Sequence, residues 1–175
     1  MRPKSWLTPI AIALVTAAAL SGQTARAQDE DDDEAHVSAK DLKDARVSLD
    51  DALKASEAQG TPLSAKYELE KGKLQLSVYT AKGDMFSEVI VDHKTGKVAK
   101  SEAIDGGDDL KAAKAQSAAM AKSKDTLRAA VAKAVAANKG FRAVRATAKL
   151  DGDHPVAEIT LVKGPESHQV TQKLD

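Results

Sequence analysis

The side chains best suited to metal or proton chemistry in this sequence are four histidines, His36, His93, His154 and His168. None lies three or four residues from another, so neither a helix nor a strand presents a ready pair of imidazole ligands. The sequence contains no His-Glu-x-x-His, no Gly-x-Ser-x-Gly, no phosphate-binding glycine loop and no Gly-x-Gly-x-x-Gly. A Ser–His–Asp set can be assembled from scattered residues in almost any chain and carries no weight without geometry. The paired carboxylates Asp50–Asp51 and Glu68–Glu70 read as charge at a helix start and as a wet strand face. Six successive acids, Asp29 to Glu34 in QDEDDDE, invite a divalent-cation reading with His36 close by. They lack the glycine and the alternating ligand spacing of a calcium loop, so a solvated, disordered tail is expected. With no cysteine, thiol chemistry, disulfides and a lipid-modified cysteine are excluded. No catalytic residue, metal ligand or cofactor follows from the sequence, and the protein is expected not to be an enzyme.

One short motif remains, Val91-Asp92-His93-Lys94-Thr95-Gly96-Lys97-Val98. Asp92 can bond the backbone of the residues after it, and Gly96 can take a positive φ, so Asp92, Thr95 and Gly96 are expected to build a structural turn. Lys66, Lys71, Lys73, Lys94, Lys97 and Lys100 give this region a basic rim. Without interleaved aromatics that rim is a solvated face and no nucleic-acid platform. Overall charge agrees: 26 basic residues balance 26 acidic ones, which gives no electrostatic reason for a nucleic acid or an anionic membrane as partner.

These residues must be positioned by the elements around them. Arg2 and Lys4 precede a mostly apolar run from Trp6 to Leu20, and Ala25-Arg26-Ala27 offers a small-x-small cleavage site, so residues 1–27 read as a signal peptide. The run is too short and interrupted for a membrane span, and no membrane insertion is expected after cleavage. Removal takes away Arg2, Lys4, Arg26 and Trp6, leaving 23 basic against 26 acidic residues and four aromatics. So few aromatics build only a thin core, which favours two small modules over one large domain. Val37 to Arg46 is weakly helical. Ser48 then opens a short helix that buries Leu49, Ala52, Leu53 and Ser56 and turns Asp50, Lys54 and Glu57 outward, with Gly60 and Pro62 ending it. Ala65, Tyr67 and Leu69, then Leu74, Leu76 and Val78, alternate with polar residues about Lys71-Gly72, the pattern of an antiparallel hairpin with one wet face. Gly83 turns the chain into a third strand around Val89-Ile90-Val91.

The helix SLDDALKASEAQ, the hairpin ELEKGKLQLSVYT and the ending VIVDHKTGKV together resemble a PepSY domain, the helix-plus-sheet module also found in propeptides of thermolysin-like metallopeptidases. The resemblance covers roughly residues 47–104, and Asp92, Thr95 and Gly96 fall on the family's V-D-x-x-T-G-x-V ending. It implies contact with a peptidase or another envelope protein, and a role in modulating or inhibiting proteolysis. The alternative it leaves open is an accessory or sensor subunit of an envelope signalling or transport system.

Asp105-Gly106-Gly107-Asp108-Asp109 marks a boundary, with Asp108 or Asp109 available to cap an alanine- and lysine-rich helical stretch from Leu110 to Asn138. Ser123 to Thr126 leaves open whether that stretch is one helix or two. Beyond Gly140 the pattern repeats: Val144, Ala146 and Ala148 alternate, Gly152 turns, Val156 to Val162 makes a strand, Gly164 turns again, and Val170 and Leu174 mark a third. The expected fold is α+β, two tandem PepSY-like modules, each a helix on a three-stranded antiparallel sheet. The expected divisions are an acidic tail over 28–36, a module over 37–104, a linker and helix start over 105–114, and a degenerate second module over 115–175. The expected location is periplasmic or secreted, and His93 and His154 are expected to be solvated.

Overall fold

A computed structural model of the chain describes residues 37–175. The expected signal peptide and acidic tail lie outside the described residues. In chain order the elements are a 3-10 turn at Asp41–Asp44, α1 (Leu49–Ser56), β1 (Thr61–Glu70), β2 (Lys73–Lys82), β3 (Met85–Val91), β4 (Val98–Ala103), α2 (Gly107–Lys122), α3 (Leu127–Ala137), β5 (Arg142–Asp151), β6 (His154–Lys163) and β7 (Glu166–Lys173). The fold is α+β. The segment before α1, expected to be helical, contains only the single 3-10 turn.

Helix α1 starts where Ser48 and Asp51 satisfy each other. The Ser48 hydroxyl accepts from the Asp51 N–H at 3.1 Å, and the Asp51 carboxylate accepts from the Ser48 N–H at 3.2 Å. Leu49, Ala52, Leu53 and Ser56 are buried as their spacing predicts, and the Ser56 hydroxyl is satisfied by the Leu53 carbonyl at 2.8 Å. Between β1 and β2, Lys71 (φ 50°) and Gly72 (φ 75°) are consecutive left-handed residues. Two such residues match the turn to the twist of the flanking strands.

The strands form one seven-stranded antiparallel sheet in the order β4-β3-β2-β1-β5-β6-β7. This corrects the expectation of two three-stranded sheets. The first half contributes four strands, because the chain after Val98 returns to pair Glu88 with Glu102 and Ile90 with Lys100. The halves then join through their first strands, where Ser64, Ala65 and Lys66 face Thr147, Ala146 and Arg145. Two thin modules would each leave a long open edge at the first strand. Pairing closes the middle of both edges, where Ala65 and Ala146 are buried.

Helix α1 lies over β1 to β3 and α3 over β5 to β7. Beneath them Leu53, Leu76, Val78 and Val89 share one continuous core with Val131, Ile159 and Leu161. Each such side chain contributes about 1.5–3 kcal/mol by leaving water. Asp50 and Glu57 do not face solvent alone, as the helix spacing suggested. α3 packs beside α1, and Arg128 reaches Asp50 (Nε to Oδ1, 3.2 Å) and Glu57 (Nη1 to Oε1, 3.6 Å).

The alanine-rich stretch is two helices. Ser123 leaves α2, and the Lys124 and Asp125 N–H groups donate to the Leu174 carbonyl at 2.6 and 3.0 Å. Thr126 then caps α3 by accepting from Ala129. Neither Asp108 nor Asp109 is the N-cap of α2: Gly106 holds that position without a side-chain bond. α2 runs unbroken across the expected 114/115 division and packs on β5, β6, β1 and β2. Its Leu110 and Ala113 meet Leu63 and Phe86 in a second, smaller core. None of the helices among the described residues is long and apolar enough to cross a membrane.

Candidate functional site

The corner after β3 is built around one carboxylate. Asp92 Oδ1 accepts from the Lys94 N–H (3.0 Å), the Thr95 N–H (2.7 Å) and the Thr95 hydroxyl (3.0 Å). The backbone closes behind it, with Asp92 N–H on the Lys97 carbonyl (2.9 Å) and Gly96 N–H on the Asp92 carbonyl (2.8 Å). Gly96 has φ 75°, which a side chain would resist. The donors from Thr95 and Lys94 stabilise the ionised form and hold the Asp92 carboxyl below its ordinary range. All three motif residues, Asp92, Thr95 and Gly96, are thus brought together. Asp92 and Thr95 are exposed, and Asp92 Oδ1 accepts three bonds within the turn.

The corner also docks the segment before α1. The His93 carbonyl accepts from both Arg46 N–H (2.9 Å) and Val47 N–H (3.1 Å). That docking half-buries His93, against the expectation that it is solvated, and leaves its Nδ1 without a partner among the described residues. His154 is exposed as expected, and its Nδ1 lies 3.1 Å from Asp175. His168 sits edge-on to Phe141 with ring centroids 4.6 Å apart. The histidines stay apart, and no cluster of three His, Asp or Glu residues suited to a metal occurs among the described residues.

Two polar arrangements escaped the sequence reading. In the first, Arg142 at the start of β5 reaches across the sheet join. It donates to the Ala45 carbonyl (2.9 Å), the Val47 carbonyl (2.6 Å) and the Tyr67 hydroxyl (2.8 Å), with its guanidinium 5.1 Å from the Tyr67 ring centre. Tyr67 in turn donates to the Val47 carbonyl, and its burial raises the phenol above its ordinary range. An arginine opening a strand gives no sequence signal for a partner almost a hundred residues away.

In the second, the face of β1 to β3 turned away from α1 is wet only in part. Glu68 accepts from Ser77 and Gln75, and Lys66 lies 2.8 Å from Glu68. The Tyr79 hydroxyl donates to Asp109 of α2 at 2.8 Å, and burial with that carboxylate pushes the phenol far up. Half-burial likewise raises the Glu88 carboxyl. The period-two alternation identified this face as polar but gave no sign that α2 would cover one end.

Chemically, these arrangements position backbone and seal joins: the hydroxyl–carboxylate contacts among them, Thr95 to Asp92 and Ser77 to Glu68, close a turn and a cross-strand pair. Among the described residues, β4 and β7 are the outer strands of the sheet, each with one edge not paired to another strand. No curated protein or solved structure matches the chain. Residues 46–102 match the family model described as the peptidase propeptide and YPEB domain, from the Arg46 contact with the corner through α1 and β1–β3 into β4. Residues 46–102 of this chain are a PepSY domain.

Proposed function

We propose that this protein is an exported, non-catalytic binding module that modulates a peptidase or another protein of the cell envelope. The observation that carries the reading is the PepSY domain itself, whose family description joins it to peptidase propeptides. The sequence pattern of residues 1–27 supports export. The second half is read as a degenerate repeat of the first. In support, α3-β5-β6-β7 repeats the element order α1-β1-β2-β3, and β3-β2-β1 and β5-β6-β7 mirror each other about the β1–β5 join, with β4 added outside β3. Asp92, Thr95 and Gly96 serve this function structurally, by fixing the chain between β3 and β4.

The physical route is strand addition at β7. β7 pairs with β6 without a register shift, and Ser167 to Gln172 carries no Lys, Arg, Asp or Glu to repel an incoming strand. The Leu174 N–H donates inward to Pro155, so by alternation the backbone of Gln169 and Thr171 points outward.

The test uses the intact protein, because cutting after residue 104 would expose the β5-facing edge of β1 and divide the shared core. The protein is cross-linked in the native envelope fraction, recovered peptidases are purified, and their activity is titrated with the protein and with Thr171→Pro. A recovered peptidase whose activity changes with the protein, and less with the variant, supports the proposal. Recovery of a membrane sensor or transporter alone, or of nothing by a cooperatively folded protein, overturns it.

A further inference from the structure

The opposite edge has a different character. β4 reads Val98-Ala-Lys-Ser-Glu-Ala103, and every residue of it is exposed. The helices among the described residues pack mainly on the strands further in: α1 on β1 to β3, and α2 on β1 and β2 with a contact to Phe86 of β3. Charged residues on an edge strand ordinarily repel other strands. Here Lys100 and Glu102 stand two residues apart on the same face, 2.6 Å from each other. That spacing makes the guard complementary to itself.

We infer that β4 pairs with β4 of a second copy, antiparallel, about a two-fold axis through Ser101. A two-fold perpendicular to a sheet keeps its faces continuous, so residues opposed across it must share a face. Centring on Ser101 meets that condition and opposes Lys100 of each copy to Glu102 of the other. The backbone agrees. Ile104 N–H donates inward to the Phe86 carbonyl at 2.9 Å, so Lys100 and Glu102 turn their backbone groups toward β3, while Ser101 and Ala103 turn theirs out. The Ser101 N–H of each copy then donates to the Ser101 carbonyl of the other. Ala103 of each copy meets the bulged end of the other strand at Ala99, where small side chains leave room.

A second observation favours the pairing. Within one chain Glu102 stands directly opposite Glu88 of β3, which places two acids at one register position of the β3–β4 ladder. The second copy sets a lysine on the free side of Glu102 and compensates that pair. A strand of arbitrary sequence gains the backbone bonds but not the two crossed ion pairs, so the edge selects its own kind. Dimerisation in this way leaves β7 free and is independent of any peptidase partner.

Sedimentation equilibrium of the purified protein across a concentration series tests the inference at low and high salt. The expected result is a reversible dimer, weakened by salt. Glu102→Lys places lysine against lysine and is expected to weaken dimerisation by about tenfold or more, while Lys100→Glu with Glu102→Lys restores it to within about threefold. Ser101→Pro removes an outward N–H without touching the β3–β4 ladder, so it is expected to abolish the dimer while the circular dichroism spectrum is retained. A protein monomeric at every concentration overturns the inference. So does a dimer that survives both Glu102→Lys and Ser101→Pro, or one abolished only by Thr171→Pro on β7.

Discussion

Replacing Arg142 tests whether the two halves are held together by more than the sheet. In Arg142→Ala three charge-assisted donors disappear, from the Ala45 carbonyl, the Val47 carbonyl and the Tyr67 hydroxyl. Val47 keeps its bond from Tyr67, so the group left without a replacement is the Ala45 carbonyl in the turn that seats α1. A bond to a charged donor contributes about 1.5–3 kcal/mol. The cation–π contact over Tyr67 adds about 0.5–1 kcal/mol. Water enters a site that is only partly buried and recovers some of this, so the expected loss is about 3 kcal/mol. For a chain of this size that corresponds to a Tm lower by about 9 °C. Arg142→Lys keeps the charge but cannot reach two carbonyls in a fork, and it is expected to recover less than half of the loss. Urea unfolding followed by circular dichroism gives both numbers. A cost for Arg142→Ala below about 1 kcal/mol, or full rescue by lysine, refutes the clamp.

Two further substitutions probe the elements around it. A Cβ on Gly60 would lie 2.5 Å from the Ala81 carbonyl oxygen and 2.8 Å from its carbon, both backbone atoms that cannot swing away. Gly60→Ala is therefore expected to cost about 2–4 kcal/mol, seen as an earlier urea midpoint; a neutral result would show that the loop between α1 and β1 yields freely. At the corner, the folded state holds Asp92 below its ordinary value near 3.8. The stability this gives is present above that pH and lost as pH falls through the lower folded value. The Tm difference between the protein and Asp92→Asn is expected to be largest near neutrality and to shrink as pH falls below the ordinary carboxylate value near 3.8. A difference constant across that range would mean the turn does not depend on the carboxylate's charge.

Local chemistry was legible wherever neighbours in sequence are neighbours in space. The Ser48–Asp51 start of α1, its stripe of Leu49, Ala52, Leu53 and Ser56, the Lys71-Gly72 hairpin and the Asp92-Thr95-Gly96 corner each close within a few residues. Their residue types therefore dictate them, and the same residues carry the PepSY resemblance that the family match places at residues 46–102. Tertiary structure alone decided what depends on distant partners. Alternation cannot say which edge a strand pairs through, so the union of β1 with β5 was invisible in Ala65 and Ala146 taken separately. The fourth strand was hidden because Val98–Ala103 buries nothing and so carries no apolar period. The break between α2 and α3 needed the Leu174 carbonyl, supplied from the far end of the chain. Outward positions on α1 became an ion-pair surface only once α3 lay beside them, and Arg142 acquired a role only when β5 stood next to β1. Local sequence sets turns, caps and apolar faces through short-range sterics and hydrogen bonding; the pairing of edges is settled by which distant surface leaves the least backbone and apolar area in water.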